Sequence, residues 1–235
     1  FNNKTNLFEE TLNRINNSNF VKPIIISNKN QRFNILKSIR NCNTKYDKLL
    51  LEEKPKNTAP AFAASTFFCK DEEILCFLPS DHHIKNNKKF INAILKAHKI
   101  ALRNKLVVLG LKSKEPNVNY GYIKYKKNYT FKDSFEVDSF IEKPKKQKAI
   151  SLHRIGALWN SGIVVVKNSY LKSLFNQFNK KIYSLVRKSY ANSRKEMEFI
   201  FLDKKSWDQV PSISFDYAIL EKEFKKIVVR LDIKW

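Results

Sequence analysis

Apolar residues in the first half of the chain follow two patterns, helical spacing and short continuous runs. Apolar positions three or four residues apart, the period of an amphipathic helix, predict helices over 7–15, 32–40, 59–68 and 88–103. Continuous apolar runs predict buried strands over 23–27, 48–52, 74–78 and 106–109. Buried strands that alternate with helices are typical of a mostly parallel, or mixed, central sheet with helices on both faces. We therefore predict an α/β fold.

The pattern changes after Gly110, where strands with partial polar alternation are predicted over 122–125 and 135–141. Such alternation is typical of an antiparallel or edge region of a sheet. Further helices are predicted over 146–154, 169–178, 180–205 and 215–224, and further strands over 163–166 and 227–229. The segment 158–162 is interpreted as a loop before the first of these strands.

Composition places the chain among globular proteins, because 43% of its 235 residues are hydrophobic and 13% are aromatic. With 4 Gly and 7 Pro, no flexible linker divides it, and we predict one domain over 1–235. No apolar run approaches the roughly 20 residues of a membrane span, so no membrane association is expected. Three cysteines without a CxxC pair argue against a disulfide framework or a zinc site and favour a cytoplasmic protein.

The formal net charge of +23 has two interpretations. A protein that binds nucleic acid or another polyanion would carry such a charge. A solvated, lysine-rich surface would carry it too, and the lysines are scattered along the chain instead of forming one block. Scattered lysines favour the second interpretation, and nucleic-acid binding is therefore not expected.

Ligands in open α/β sheets bind at the carboxyl ends of strands, which directs attention to the loops that follow the predicted strands. In the first loop, Asn57 or Thr58 either caps the next helix or faces a base or ribose with its side chain and free backbone N–H groups. In the second, Asp81 either caps the next element or holds Mg²⁺, which prefers oxygen ligands. Neighbouring side chains of an extended segment point in opposite directions, so His82 and His83 should not share a metal.

In two later segments, the residues again allow either a structural or a ligand-binding role. Glu142 and Lys143 form either a surface ion pair or a site in which the acid takes sugar hydroxyls and the lysine takes phosphate. Trp159 suits a core position, Asn160 suits a turn, and Gly162 allows a close approach of the backbone. Each of these signals is weak by itself.

Taken together and in this order, the segments match one family. The matching motifs are NTAPA at 57–61, LPSDH at 78–82, YGYI at 120–123, FIEKP at 140–144, LWNSG at 158–162 and SFDYAILEK at 214–222. They resemble the motifs of bacterial mannose-1-phosphate guanylyltransferases, also called GDP-mannose pyrophosphorylases, over essentially the whole chain. The resemblance implies a Rossmann-like nucleotidyltransferase fold. It also implies that mannose 1-phosphate attacks the α-phosphate of GTP to give GDP-mannose, a polysaccharide precursor, and pyrophosphate.

The resemblance also implies roles for individual residues. Asn57, Thr58 and Ala59 would bind the nucleotide. Asp81 would be a catalytic residue and a ligand of Mg²⁺, the expected cofactor. The sugar phosphate would be bound by Tyr120, Gly121, Glu142, Lys143, Asn160 and Asp216. Among these, Lys143 would contact the phosphate and act in catalysis, and Asp216 would form part of the site wall.

The match departs from the family pattern at several points. The family opens with a glycine-rich loop, GGxGTRLWPLSR, followed by PKQF, and continues beyond Trp235 to an Asp that is a second Mg²⁺ ligand. We therefore expect a nucleotidyltransferase domain incomplete at both ends, inactive as these 235 residues alone. Pro55 and Lys56 replace the usual Gly-Arg, and Asn119 replaces a usual Gly.

Two other functions stay open, a catalytically inactive paralogue that binds a nucleotide sugar and a basic nucleic-acid-binding protein. The sequence also leaves open the base preference, the choice of mannose over glucose and the presence of a C-terminal isomerase domain. It leaves the oligomeric state open as well, a homodimer included.

Overall fold

A computed structural model describes residues 5–131 and 133–233. Its contacts divide the chain into two compact units. The first comprises Phe1–Cys69, Ser80–His83 and Phe175–Phe215, and the second comprises Lys70–Pro79, Ile84–Leu174 and Asp216–Trp235. The expectation of one domain over 1–235 stays a prediction.

Helices and strands alternate along most of the described chain. The helices are α1 Leu7–Ile15, α2 Arg32–Asn41, α3 Thr58–Ser65, α4 Asn87–Ala101, α5 Lys146–Arg154, α6 Asn168–Phe178, α7 Lys180–Ala191 and α8 Lys204–Asp208. The strands are β1 Ile24–Asn28, β2 Lys48–Glu52, β3 Ile74–Phe77, β4 Leu106–Lys112, β5 Tyr122–Phe131, β6 Ser134–Ile141, β7 Leu158–Lys167, β8 Arg194–Glu196, β9 Phe199–Phe201 and β10 Lys226–Arg230. Within the described residues, no helix is both long and apolar enough to cross a membrane.

The first unit contains a four-stranded sheet in the order β1-β2-β9-β8. β1, β2 and β9 are parallel, and β8 pairs antiparallel with β9. Leu49 and Leu51 of β2 point to one face, where they pack in a core with Leu12 of α1 and Ile39 of α2. The parallel register places the carboxyl ends of β1 and β2 side by side, with Asn28 opposite Glu52.

The second unit contains a six-stranded mixed sheet in the order β3-β7-β4-β10-β6-β5. β4 and β10 are parallel, whereas β3 and β4 both pair antiparallel with β7, which lies between them. α4 packs on this sheet through buried residues that include Phe90, Ile94 and Ala97. The expected α/β class is confirmed, and so is the antiparallel pairing of the two strands after Gly110.

Three local expectations differ from the structure. The segment 180–205 is not one helix, because α7 ends at Ala191 and a β8–β9 hairpin follows, with a left-handed Met197 (φ +51°) at its turn. The helix expected over 215–224 is shorter, a π-helical turn over Asp216–Leu220 in which the Glu221 N–H donates to the Asp216 carbonyl. The segment 158–162 is not a loop, because β7 begins at Leu158 and continues through it.

Candidate functional site

The loop between β2 and α3 carries the residues expected to bind a nucleotide. Asn57 caps α3, its side-chain oxygen accepting the Thr58 N–H at 2.9 Å. The backbone of Asn57 has φ +66° and ψ −168°, a region that glycine adopts and other residues rarely do. A residue held there costs on the order of 1–3 kcal/mol and persists only where its surroundings fix it.

The amide groups at the start of α3 are already bonded within the first unit. The Ala59 N–H donates to the Ile213 carbonyl at 3.2 Å, and Thr58 Oγ1 accepts the Phe215 N–H at 2.8 Å. The sequence expectation of free backbone N–H groups is therefore wrong for Thr58 and Ala59. Asn57 and Thr58 are exposed at the residue level, and their contact with a nucleotide stays a prediction.

A comparison of two substitutions tests the strain at Asn57. Both Asn57→Gly and Asn57→Ala remove the cap, but only glycine adopts this backbone without a Cβ penalty. We expect the alanine variant to be less stable than the glycine variant by about 1 kcal/mol or more in urea unfolding. Equal stabilities would show that Asn57 is not strained in the folded protein.

Asp81 lies in a short segment of the first unit with an 80% exposed side chain. The rings of the two adjacent histidines lie near different carboxylates, with His82 Nε2 3.9 Å from Asp81 Oδ1. The Arg14 guanidinium donates to the His82 carbonyl at 3.0 Å, and His83 Nδ1 lies 2.7 Å from Glu10 Oε2. Burial lowers the pKa of His82.

Among residues 5–131 and 133–233, no group of three or more His, Cys, Asp or Glu side chains could hold a metal ion. Mg²⁺ does not need such a group, because it keeps several waters and commonly binds through one or two carboxylates and substrate phosphates. The exposed carboxylate of Asp81 fits this mode of binding.

Four residues expected to bind the sugar phosphate come together in the second unit. Gly121, immediately before β5, packs against Glu142, immediately after β6. A Cβ on Gly121 would lie 2.4 Å from Glu142 Oε2 and 3.4 Å from the Cβ of Asn160. The 2.4 Å contact is far shorter than van der Waals separation, so any residue with a Cβ here would displace the Glu142 carboxylate. The structure thus shows why a residue without a side chain faces Glu142.

Asn160 bonds Gly121 through its backbone and Asp216 through its side chain. Its N–H donates to the Gly121 carbonyl at 2.7 Å, and its Nδ2 donates to Asp216 Oδ1 at 2.9 Å. Its Oδ1 accepts the Gly162 N–H at 3.1 Å. These bonds fix the orientation of the Asn160 amide and connect strand β7 to the π-helical turn. We call Gly121, Glu142, Asn160 and Asp216 the carboxylate cluster.

The charges of the carboxylate cluster are poorly compensated. Burial, with a further contribution from Asp216, raises the pKa of Glu142 from 4.5 to about 7. Burial also raises the pKa of Asp216, although its hydrogen bond from Asn160 opposes the rise. The charge of Lys143 favours the charged forms of Glu142 and Asp216, but Lys143 is exposed and does not offset the effect of burial. Half-buried carboxylates with raised pKa values are typical of sites that bind hydroxyl groups or transfer protons.

The remaining expected residues lie at the edge of this cluster. Tyr120 packs on Trp159, the two rings 4.8 Å apart, and Trp159 is buried. Lys143 has a left-handed backbone, with φ +43°. Sequence reasoning missed Glu221, whose charge raises the pKa of both Glu142 and Asp216. Its position inside the SFDYAILEK motif was the available signal.

Comparison with known proteins shows the family of this chain. The family model described as Nucleotidyl transferase matches residues 1–218. A mannose-1-phosphate guanylyltransferase of Escherichia coli is 31% identical over 97% of the chain and 51% of its own length. A second, from Sinorhizobium fredii, is 32% identical over 97% of the chain and 46% of its own length. The chain thus spans about half the length of these curated relatives.

Two solved structures share the fold over the whole chain. One, described as mannose-6-phosphate isomerase from Helicobacter pylori, has a TM-score of 0.92 and 30% identity, and 92% of its own chain is covered. The other, described as mannose-1-phosphate geranyltransferase from Thermus thermophilus, has a TM-score of 0.81 and 24% identity, with 66% of its chain covered. The resemblance stated from the motifs is confirmed, and the chain belongs to the nucleotidyl transferase family.

Proposed function

We propose that this chain is the nucleotidyltransferase part of an enzyme that makes GDP-mannose and pyrophosphate from GTP and mannose 1-phosphate. The observation that carries the proposal is the carboxylate cluster, in which Glu142 is half-buried and held against Gly121. The similarity to mannose-1-phosphate guanylyltransferases supports the choice of substrates.

The reaction is a substitution at phosphorus. An oxygen of mannose 1-phosphate forms a bond to the α-phosphorus of GTP, and the bond from that phosphorus to the bridging oxygen of the β-phosphate breaks. Pyrophosphate leaves with the electron pair of that bond. Such chemistry depends mainly on positioning the reactants and on neutralising charge.

Each unit has a role in this proposal. In the first, Asn57 and Thr58 would contact the nucleotide, and Asp81 would hold Mg²⁺. When bound, that ion would neutralise phosphate charge and orient the triphosphate. In the second, the carboxylate of Glu142 would accept hydrogen bonds from mannose hydroxyls, and the Lys143 ammonium would bind the sugar phosphate.

A substrate panel tests the proposal. The gene product that contains this sequence would be purified and given each of four nucleoside triphosphates with mannose 1-phosphate or glucose 1-phosphate. We expect GTP with mannose 1-phosphate to have the highest kcat/KM, with GDP-mannose and pyrophosphate formed in equal amounts. Binding of GDP-mannose without turnover would instead identify an inactive paralogue. No turnover combined with salt-dependent RNA binding would favour a nucleic-acid-binding protein.

Replacing Asp81 tests its role as a metal ligand. Asp81→Asn removes the charge but keeps the size, so the Mg²⁺ concentration that gives half-maximal rate should rise at least tenfold. Asp47→Asn serves as the matched control, because Asp47 is also exposed and is paired with Lys48 at the amino end of β2. An unchanged Mg²⁺ dependence in Asp81→Asn would contradict the assignment.

The place of the product in the cell is part of the same proposal. Related proteins include ones named for the biosynthesis of xanthan and alginate. We expect this enzyme to act in the cytoplasm, where GTP is available, and its GDP-mannose to be used for polysaccharide synthesis.

A further inference from the structure

The loop that carries Asn57 is tied along its length to one distant segment of the first unit. That segment runs from α8 to Phe215 and is called the strap, residues 203–215. The Trp207 Nε1–H donates to the Lys54 carbonyl at 2.8 Å, and the Lys56 ammonium donates to the Asp208 carbonyl at 3.1 Å. The strap is therefore bonded to the part of the loop that precedes Asn57.

Three more hydrogen bonds continue the connection past Asn57. The Ile213 N–H donates to the Lys56 carbonyl, and the Ala59 N–H donates to the Ile213 carbonyl, both at 3.2 Å. The Phe215 N–H donates to Thr58 Oγ1 at 2.8 Å. Asn57 is thus flanked on both sides by residues that are bonded to the strap.

The strap is itself held firmly within the unit. The Leu202 N–H, at the end of β9, donates to the Leu51 carbonyl of β2 at 3.1 Å. The carboxylate of Asp203 caps α8 by accepting the Ser206 N–H at 2.8 Å. Trp207 has no exposed surface, so its indole is fixed by packing as well as by its hydrogen bond. These contacts make α8 a rigid support for the loop.

The support explains how Asn57 keeps its unfavourable backbone. A non-glycine residue at φ +66° and ψ −168° relaxes unless its neighbours are fixed. Bonds on either side of Asn57 supply that constraint. A shift of about 1 Å in this loop would move Asn57 and Thr58 away from a bound nucleotide. Fixing the backbone at Asn57 therefore fixes the groups that would contact the nucleotide.

We propose that the strap positions the nucleotide-binding loop and that Trp207 is the positioning residue at its centre. The proposal rests on the proposed function, because it assigns the loop to the nucleotide. It makes Trp207 a residue that acts through Lys54, Asn57 and Thr58 without touching substrate. Loss of its hydrogen bond should weaken nucleotide binding and leave binding of the sugar phosphate unchanged.

The test removes one hydrogen bond and keeps the shape of the ring. Trp207 would be replaced in the full gene product by 3-benzothienylalanine, in which sulfur takes the place of the indole N–H. The same replacement at Trp159 is the matched control, because Trp159 is buried and its Nε1 has no hydrogen-bond partner in the described structure. Hydrogen exchange of the amides of residues 54–59 is measured first, since it requires no enzyme activity.

We expect exchange at residues 54–59 to accelerate about tenfold or more in the Trp207 variant and to stay unchanged in the Trp159 control, because only the Trp207 replacement removes a hydrogen bond to the loop. We expect the KM for GTP to rise about tenfold in the Trp207 variant, with kcat and the KM for mannose 1-phosphate within twofold of wild type. Unchanged exchange at the loop would overturn the proposal. Faster exchange with an unchanged KM for GTP would also overturn it. If the unmodified protein has no transferase activity, the proposed function fails, while the exchange result still decides whether the strap holds the loop.

Discussion

Replacing Gly121 by alanine is expected to lower kcat/KM for mannose 1-phosphate by about 10²-fold, the cost of displacing a binding group by roughly 1 Å. The added Cβ would lie 2.4 Å from Glu142 Oε2 and 3.0 Å from the ring of Phe140. The contacted oxygen is the end of a flexible side chain, so the Glu142 side chain rotates away and the carboxylate leaves its place. Steady-state kinetics at varied mannose 1-phosphate and saturating GTP measure the effect.

The chain offers a matched control for this variant. An added Cβ at Gly156 would have no atom within 4 Å, although Gly156 has φ +78° and so resists substitution. Gly156→Ala should therefore lower stability by about 1 kcal/mol and leave the kinetics unchanged. A Gly121→Ala variant that melts at a lower temperature yet keeps its kcat/KM would contradict the account.

The Glu142→Gln variant should raise the KM for mannose 1-phosphate about tenfold, because a hydrogen bond to a charged acceptor is stronger by roughly 1–2 kcal/mol than one to a neutral acceptor. The two proteins should also differ in how kcat/KM for mannose 1-phosphate depends on pH. The pKa of Glu142 is about 7, so kcat/KM for the sugar phosphate should fall as the pH is lowered through that value. Glu142→Gln, measured with the same substrate, lacks this carboxyl and should lack its inflection. An inflection at the same pH in both proteins would assign it to the substrate.

The same substitution should change stability in the opposite direction to activity. The folded pKa of Glu142 lies above its ordinary value of 4.5, so its contribution to stability is full below pH 4.5 and is lost as the pH rises through about 7. Glu142→Gln should therefore melt at a higher temperature than wild type at pH 8 and at a similar temperature near pH 4.5. A lower melting temperature at pH 8 would show that the carboxylate is not destabilised by burial.

Local patterns were sufficient to predict most elements of the fold. α1 spans Leu7–Ile15, as predicted, because Asn6 and Glu9 form a capping box that fixes its start. The bounds of β2 and α5 also agree with those predicted. Long-range pairing could not be predicted, since nothing in the sequence of β7 shows that it lies between β3 and β4. The hairpin within 180–205 was missed because its strands have three residues each, too few for a clear alternation.

The candidate site was predictable to a similar extent. The order of motifs identified Glu142, Asn160 and Asp216 through resemblance. The structure places Glu142 and Asn160 beside Gly121 and bonds the Asn160 amide to Asp216. The steric role of Gly121 could not be read from the sequence, because it depends on the distance to a residue on another strand. Trp207 was missed for the same reason. Its polar surroundings in the sequence give no sign that its indole reaches a loop about 150 residues earlier, a separation that only tertiary structure reveals.

The central claim is that the carboxylate of Glu142 holds a hydroxyl of mannose 1-phosphate. A double-mutant cycle that changes both protein and substrate tests this directly. Wild type and Glu142→Gln are each measured with mannose 1-phosphate and with its 2-deoxy, 3-deoxy and 4-deoxy analogues. We expect kcat/KM of wild type to fall at least tenfold for one analogue, and that of Glu142→Gln to fall much less, because the hydrogen bond is already absent in the variant. Equal losses in both proteins for every analogue would mean that Glu142 touches no sugar hydroxyl, and the claim would be wrong.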